Sequence, residues 1–304
     1  MLRYIVAFIW LTGQVVVAQE RIDLWPEGKM PNSKGAVVKD SIVNERIYQV
    51  EKPRIQAFFT SRQENKGAAV LIIPGGGYSR LAYDISGSQL AKWFNTMGMH
   101  AFVLDHRLPH SPDLETRYLG PLQDAQRALR LIRAHAEKWE IDPERIGVLG
   151  SSAGAHLAAT VSNYVDNVSS IKDVVDSFGY RPNFQILVSP VIDMGQYAHK
   201  GSREQLLGKE PTPELIDKFS LHKQVTKTTP PAFIIHASND HVVKPINSLL
   251  YMHALLEEGI PSALHIFPDG KHALALRNNP GSASQWINLC EEWLIEEEII
   301  SRLK

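Results

Sequence analysis

The stretch GVLGSSAGAHLAA, residues 147–159, sets two adjacent serines among glycines and alanines. Glycine has too much backbone freedom and serine competes for backbone hydrogen bonds, so a run like this weakens a helix. It reads instead as a junction. Residues 145–150, RIGVLG, are a buried strand, and a helix is expected over 153–163. A strand turning directly into a helix makes Gly150-Ser151-Ser152-Ala153-Gly154 a G-x-S-x-G turn centred on Ser152. Such a turn strains the backbone of its central serine and lifts Oγ above the sheet. The residues two positions away on each side must be small, or Cβ atoms collide. On this reading Ser152 is a nucleophile and Ser151 packs.

Working outward, apolar β-rich runs recur at 69–73, 99–105, 184–189, 232–237 and 263–267. Several are apolar on consecutive residues, as expected of strands covered on both faces. Helical patterns lie between them at 86–97, 121–139, 243–258 and 282–299. In the second of these, Leu122, Ala125, Leu129, Ile132, Ala136 and Trp139 share one face, and Pro121 suits a first turn. Strands alternating with helices imply βαβ units and a mostly parallel sheet with helices on both faces. The stretch 191–230 lacks a clear strand. Its SREQLLG and TPELIDKFS segments look like short helices in an insertion over the sheet edge. No linker divides the chain, which reads as one domain over 19–304.

A serine nucleophile needs a base and an acid that orients it, on loops at the carboxyl ends of later strands, in the order serine, acid, histidine. After AFIIHA comes SNDHVV, which offers Asp240. After ALHIF comes PDGKHA, which offers His272. Asp193, in SPVIDM, follows an earlier strand and is the rival acid. Asp269 shares a tight loop with His272, which hinders the geometry. His236 and His265 lie within strands and read as structural, and His241 precedes the last strand. The developing oxyanion needs N–H donors. Ala153, just after the nucleophile, supplies one. The glycines of LIIPGGGYSR, after the first strong strand, offer Gly76 and Gly77. Tyr78 follows them, either as a substrate contact or as packing. Arg107, in DHRLPH, is expected to tie loops together through carboxylates such as Asp124.

Composition narrows the classes. The chain has 304 residues, 44% hydrophobic and 21% charged, with a net charge of -1, so it is globular and without a basic tract for nucleic acid. Its single cysteine, Cys290, allows no internal disulfide and reads as buried. No H-E-x-x-H, P-loop or dinucleotide G-x-G-x-x-G stands in the right context, so no metal and no cofactor are implied. Residues 1–18 combine Arg3, an apolar run and small residues before a cut after Ala18, which is the pattern of a signal peptide. The run is short for a membrane span. An exported, periplasmic or secreted bacterial protein without stable membrane insertion is expected.

With these motifs placed, the chain resembles the α/β-hydrolase superfamily. More narrowly, it resembles the secreted esterases of polysaccharide-degrading bacteria, the acetyl xylan esterases related to the hormone-sensitive-lipase branch. The likeness extends from about Ile22 to Trp293 and includes LWPEGKMPN, IPGGGY, HRLP, GSSAGAHLA, LLGKEPTPELIDKFS, TPPAFIIHASND and FPDGKHALAL. Three departures stand out. Pro74 replaces the histidine of the HGGG motif, His106 stands where tyrosine is common, and Lys271 and Ala273 flank His272 where glycines are common. The resemblance implies a serine esterase acting on acetyl groups of plant-type carbohydrate, an acylated carbohydrate being its partner. The mixed charge of 191–230 suits short acyl chains. A serine peptidase with the same triad, or an inactive carbohydrate-binding homologue, are the other readings; the intact Ser152, Asp240 and His272 set argues against the last.

Overall fold

The structure, a computed structural model, describes residues 20–272 and 274–302. The expected signal segment lies outside the described residues. Among the described residues ten strands are formed: β1 (Glu20–Asp23), β2 (Ser41–Val43), β3 (Arg46–Gln49), β4 (Arg54–Phe58), β5 (Ala68–Ile73), β6 (Met99–Asp105), β7 (Ile146–Ser151), β8 (Gln185–Val188), β9 (Ala232–Ala237) and β10 (Ser262–Phe267). Eight of them make one sheet in the order β1-β4-β6-β5-β7-β8-β9-β10. β1 and β4 run antiparallel to their neighbours, and the strands from β6 to β10 are parallel. β2 and β3 form a separate hairpin. Its two turn residues, Asn44 and Glu45, both have positive φ, as a tight hairpin turn requires.

Seven α-helices accompany the sheet: α1 (Gln89–Thr96), α2 (Leu119–Ala134), α3 (Ala153–Asn163), α4 (Lys200–Leu207), α5 (Pro213–Lys218), α6 (Ile246–Glu257) and α7 (Trp286–Glu296). Successive residues of a strand point to opposite faces, and β5 divides its side chains accordingly. Ala69, Leu71 and Ile73 join the core under α2, α3 and α6, while Ala68, Val70 and Ile72 join the core under α1 and α7. Burial on both faces explains why β5 is apolar at every position. Cys290 of α7 is fully buried in the second core, and that burial pushes its thiol pKa up. No helix among the described residues is long and apolar enough to cross a membrane.

The six expected parallel strands are all present, and α3 spans the expected residues. α2 begins at Leu119, which still leaves Pro121 in the first turn, where its missing N–H has no helical acceptor. The insertion differs in place. It leaves from β8, which is an interior strand between β7 and β9. Its helix α4 therefore stands over the carboxyl ends of the strands and not over a sheet edge.

Candidate active site

β7 ends at Ser151 and α3 begins at Ala153, so Ser152 is the junction itself. Its backbone is at φ 57° and ψ −119°, a region that disfavours residues with a Cβ. Two hydrogen bonds to the end of β8 hold it there: Ser152 N–H donates to the Val188 carbonyl at 2.8 Å, and Val191 N–H donates to the Ser152 carbonyl at 3.2 Å. The flanking glycines are needed for clearance. A Cβ on Gly150 would overlap the Gly154 carbonyl oxygen, and one on Gly154 would overlap the carbonyl oxygens of Ile73 and Pro74. Ser151 is the last strand residue and is buried.

The structure brings Ser152, His272 and Asp240 into one hydrogen-bonded line. His272 Nε2 lies 2.8 Å from Ser152 Oγ, and His272 Nδ1 lies 2.7 Å from Asp240 Oδ2. The imidazole thus has one nitrogen on the hydroxyl and the other on the carboxylate. Asp240 itself is buried, and its Oδ1 accepts the backbone N–H groups of Val242 and Val243 at 2.8 and 3.0 Å. Burial pushes its pKa up. Hydrogen bonds from His236 and His272, the field of His272 and the Val243 N–H outweigh that, and the carboxyl is held well below its usual range.

His236, read as structural, has more to do than fill the core. Its Nε2 is 3.2 Å from Asp240 Oδ2 and 2.9 Å from the Val243 carbonyl, while its Nδ1 is 2.7 Å from Ser248 Oγ. A proton on Nε2 satisfies both oxygens, leaving Nδ1 to accept from Ser248. Asn239 is a residue that sequence reasoning missed. Its side-chain oxygen accepts the Lys271 N–H at 2.9 Å, and its amide nitrogen donates to Asp269 Oδ1. Asn239 and Asp269 thereby lace the acid loop to the histidine loop. Only the adjacency of Asn239 to Asp240 hinted at this.

The rival acid is placed elsewhere. Asp193 Oδ1 accepts Gly195 N–H at 2.9 Å and the Ser220 hydroxyl at 3.1 Å, and its Oδ2 accepts Tyr197 N–H at 2.6 Å. It makes no hydrogen bond to His272.

Gly75, Gly76 and Gly77 line the cavity above Ser152. Gly76 has φ +141°, and a Cβ there would overlap the Arg80 carbonyl, so no other residue fits. The Gly76 and Gly77 N–H groups donate to no acceptor among the described residues, and Ala153 N–H belongs to the first turn of α3, where helical acceptors are lacking. The loop is held by Gly75 N–H, which donates to Ser86 Oγ at 3.1 Å.

Tyr78 is corrected by the structure. It does not line the cavity. Its φ of +59° turns the ring inward, where it is buried with its hydroxyl 2.8 Å from His156 Nδ1. His156 is fully buried on α3, its Nε2 donates to the Phe219 carbonyl at 2.9 Å, and burial lowers its pKa to about 4. Tyr78 therefore fastens the glycine loop to α3 and the insertion. Arg107 takes the expected role: it forms a buried pair with Asp124, which also accepts from Trp25 Nε1 at 2.8 Å. His106 is buried against the Arg107 carbonyl and does not line the cavity.

The cavity has a volume of about 390 Å³ and contains Ser152 and His272. Among the described residues, no group of three or more His, Cys, Asp or Glu side chains is arranged to hold a metal ion. A serine hydroxyl at a strand–helix turn, backed by imidazole and carboxylate under unpaired N–H groups, has the equipment for acyl transfer. The fold and this site together define an α/β-hydrolase.

A model of the BD-FAE family matches residues 56–255, and the chain belongs to that family. The chain is 34% identical over 280 residues to endo-1,4-beta-xylanase B of Butyrivibrio fibrisolvens, covering 88% of this chain and 44% of that protein. It is 36% identical over 211 residues to an acetylxylan esterase of Xylanibacter ruminicola, covering 68% of this chain and 41% of that protein. The chain thus spans less than half the length of these curated relatives. Among solved structures, an acetyl ester-xyloside bifunctional hydrolase from Caldicellulosiruptor lactoaceticus superimposes with a TM-score of 0.80 at 35% identity, covering 93% of this chain and 97% of that one.

Proposed function

We propose that the protein is a serine esterase that removes short acyl groups, acetyl above all, from xylan-type polysaccharide or its oligosaccharides. The observation that carries this is the line from Ser152 Oγ through His272 to Asp240, with separations of 2.8 and 2.7 Å, its first two members lining the cavity. Relatives described as an acetylxylan esterase and an acetyl ester-xyloside hydrolase support the substrate class.

The chemistry follows from the positions. Ser152 Oγ attacks the ester carbonyl carbon while His272 Nε2 takes the hydroxyl proton. Asp240 holds Nδ1–H and stabilises the imidazolium. The carbonyl oxygen becomes an oxyanion, and the N–H groups of Gly76, Gly77 and Ala153 donate to it. Collapse breaks the bond to the sugar oxygen, which receives the proton from Nε2. Water then enters, gives its proton to Nε2 and attacks the acyl-serine; the proton returns to Ser152 Oγ as acetate leaves.

Acetate release from acetylated xylan tests the reading directly. Ser152→Ala lowers kcat by about 10⁴-fold or more, while Ser151→Ala retains most activity. A dead Ser151 variant beside an active Ser152 variant overturns the nucleophile assignment. Export belongs to the same proposal, supported by the Arg3, apolar-run and Val16-Val17-Ala18 pattern. N-terminal sequencing of material recovered outside the cytoplasm gives Gln19 as the first residue; a chain beginning at Met1 there refutes it.

A further inference from the structure

The cavity over Ser152 has a chemically mixed lining. Ala82, Ile85, Leu90 and Leu274 contribute apolar surface, while His199, Glu204 and Gln205, from α4 and the residue before it, contribute polar groups. α4 stands beside the glycine loop: a Cβ built on Gly77 would lie 4.0 Å from Ser202 Oγ. It also stands near His272. Burial first, and then the charge of His272, lower the His199 pKa from its ordinary value. His272 Nε2 returns the proton to the departing alcohol oxygen, so the alcohol leaves on the His272 side. His199, Glu204 and Gln205 line the same cavity as His272, so α4 borders the space that the departing sugar must occupy.

His199 is prepared to act as a donor there. Its Nδ1 accepts the backbone N–H of Ser202 at 3.2 Å, which caps α4, and lies 2.8 Å from the Ser202 hydroxyl. A ring nitrogen that accepts from a backbone N–H carries no proton, so this network assigns the proton of the neutral ring to Nε2. Nε2 has no hydrogen-bond partner among the described residues, and the ring lines the cavity. A half-buried N–H without a partner among the described residues, in the lining of the cavity that holds Ser152 and His272, favours a ligand that brings an acceptor oxygen.

We propose that His199 Nε2–H binds a hydroxyl or ring oxygen of the sugar that bears the acyl group, making α4 and its cap the alcohol-side subsite. The inference rests on the carbohydrate-ester reading given above. It makes His199 a determinant of which alcohol is accepted, in addition to the residues that carry out acyl transfer.

Two substitutions separate the two nitrogens of His199. In His199→Asn the amide oxygen takes the place of Nδ1 and keeps the cap, but the outer donor is gone. In His199→Gln the amide nitrogen reaches the place of Nε2 and keeps the donor, but the cap is gone. Steady-state kinetics of both variants, with thermal melts, are compared on acetylated xylo-oligosaccharide and on 4-nitrophenyl acetate, which brings no sugar hydroxyl. His199→Asn lowers kcat/KM on the oligosaccharide about tenfold more than on the nitrophenyl ester, chiefly through KM, the size expected for one lost hydrogen bond to a bound hydroxyl. His199→Gln keeps the wild-type ratio between the two substrates to within about threefold. Equal losses on both substrates in His199→Asn, or an altered ratio in His199→Gln with a normal one in His199→Asn, overturn the inference while the esterase reading stands. A wild-type protein that cleaves the nitrophenyl ester but no acetylated oligosaccharide overturns the substrate reading, and this inference with it.

Discussion

Asp193 and Asp240 follow neighbouring parallel strands, β8 and β9, and both are buried at the same end of the sheet. They differ in where their oxygens point. Asp193 commits both to its own insertion, through Gly195, Tyr197 and Ser220. Asp240 commits Oδ1 to the adjacent Val242 and Val243 N–H groups and turns Oδ2 to His272, 32 residues further on. Burial and position past a strand are common to both, so neither makes a carboxylate an orienting acid. One oxygen anchored locally and one left for the imidazole does. Asp193 acts instead as the brace of the loop that leads to His199.

The sharpest break of this contrast is an activity ranking. Asp240→Asn lowers kcat by about 10⁴-fold, because the amide cannot hold the required tautomer and charge on His272. Asp193→Asn costs about 1–3 kcal/mol of stability through its lost loop bonds, read as a lower Tm, with a far smaller loss of turnover. The reverse ranking in folded variants would move the acid to β8.

Acid unfolding separates the contributions further. His156 has its pKa lowered from 6.5 to about 4 by burial, so the unfolded chain binds its proton first. Its contribution to stability is complete above about pH 6.5 and is lost as pH falls toward 4, on the order of 3 kcal/mol in all. Asp240, also depressed, contributes above its ordinary pKa of about 4 and loses that contribution only below it. Other buried histidines with lowered pKa, His100 and His106, add to the upper phase, and Asp173 and Asp176 add to the lower one. In denaturant midpoints measured from pH 7 to pH 3, Asp240→Asn reduces the lower phase and leaves the upper one unchanged; a reduced upper phase would assign it to the wrong group.

The smallest effect tests the position of Tyr78. Tyr78→Phe removes the hydroxyl that His156 Nδ1 accepts and lowers stability by about 1 kcal/mol. A change in substrate preference larger than the change in stability would return Tyr78 to the cavity.

Much of this site is legible in the sequence because its parts are short and local. The steric demand at residues 150–154 leaves a string of small residues, and Asp240 and His272 each stand within five residues of a strong apolar strand. The parallel strands are legible because burial on both faces leaves no polar alternation. The N-terminal strands are not. β1 reads ERID and alternates between exposed and half-buried, and β2 is only three residues, SIV, exposed throughout, so neither shows the sustained apolar run of a buried strand. The place of β1 comes from long-range partners: it pairs with β4, and β4 with β6, about fifty residues on, whereas β2 pairs only with the adjacent β3. Tyr78 misleads for a related reason. Its neighbourhood in sequence is the glycine loop, whereas its side chain is directed by a positive φ onto a histidine 78 residues away.

The backbone at Ser152 has consequences for anyone who would improve this protein. An L side chain at φ 57° and ψ −119° holds on the order of 1–3 kcal/mol of strain. Glycine adopts that conformation freely, and its smaller size collides with nothing in the turn. Among single substitutions, Ser152→Gly is therefore one of the few expected to raise the melting temperature, and it deletes the proposed nucleophile. A laboratory lineage selected for expression or heat survival alone would drift toward an inert, better-folded descendant. Selection has to include ester turnover at every round, because at this codon the two goals point in opposite directions.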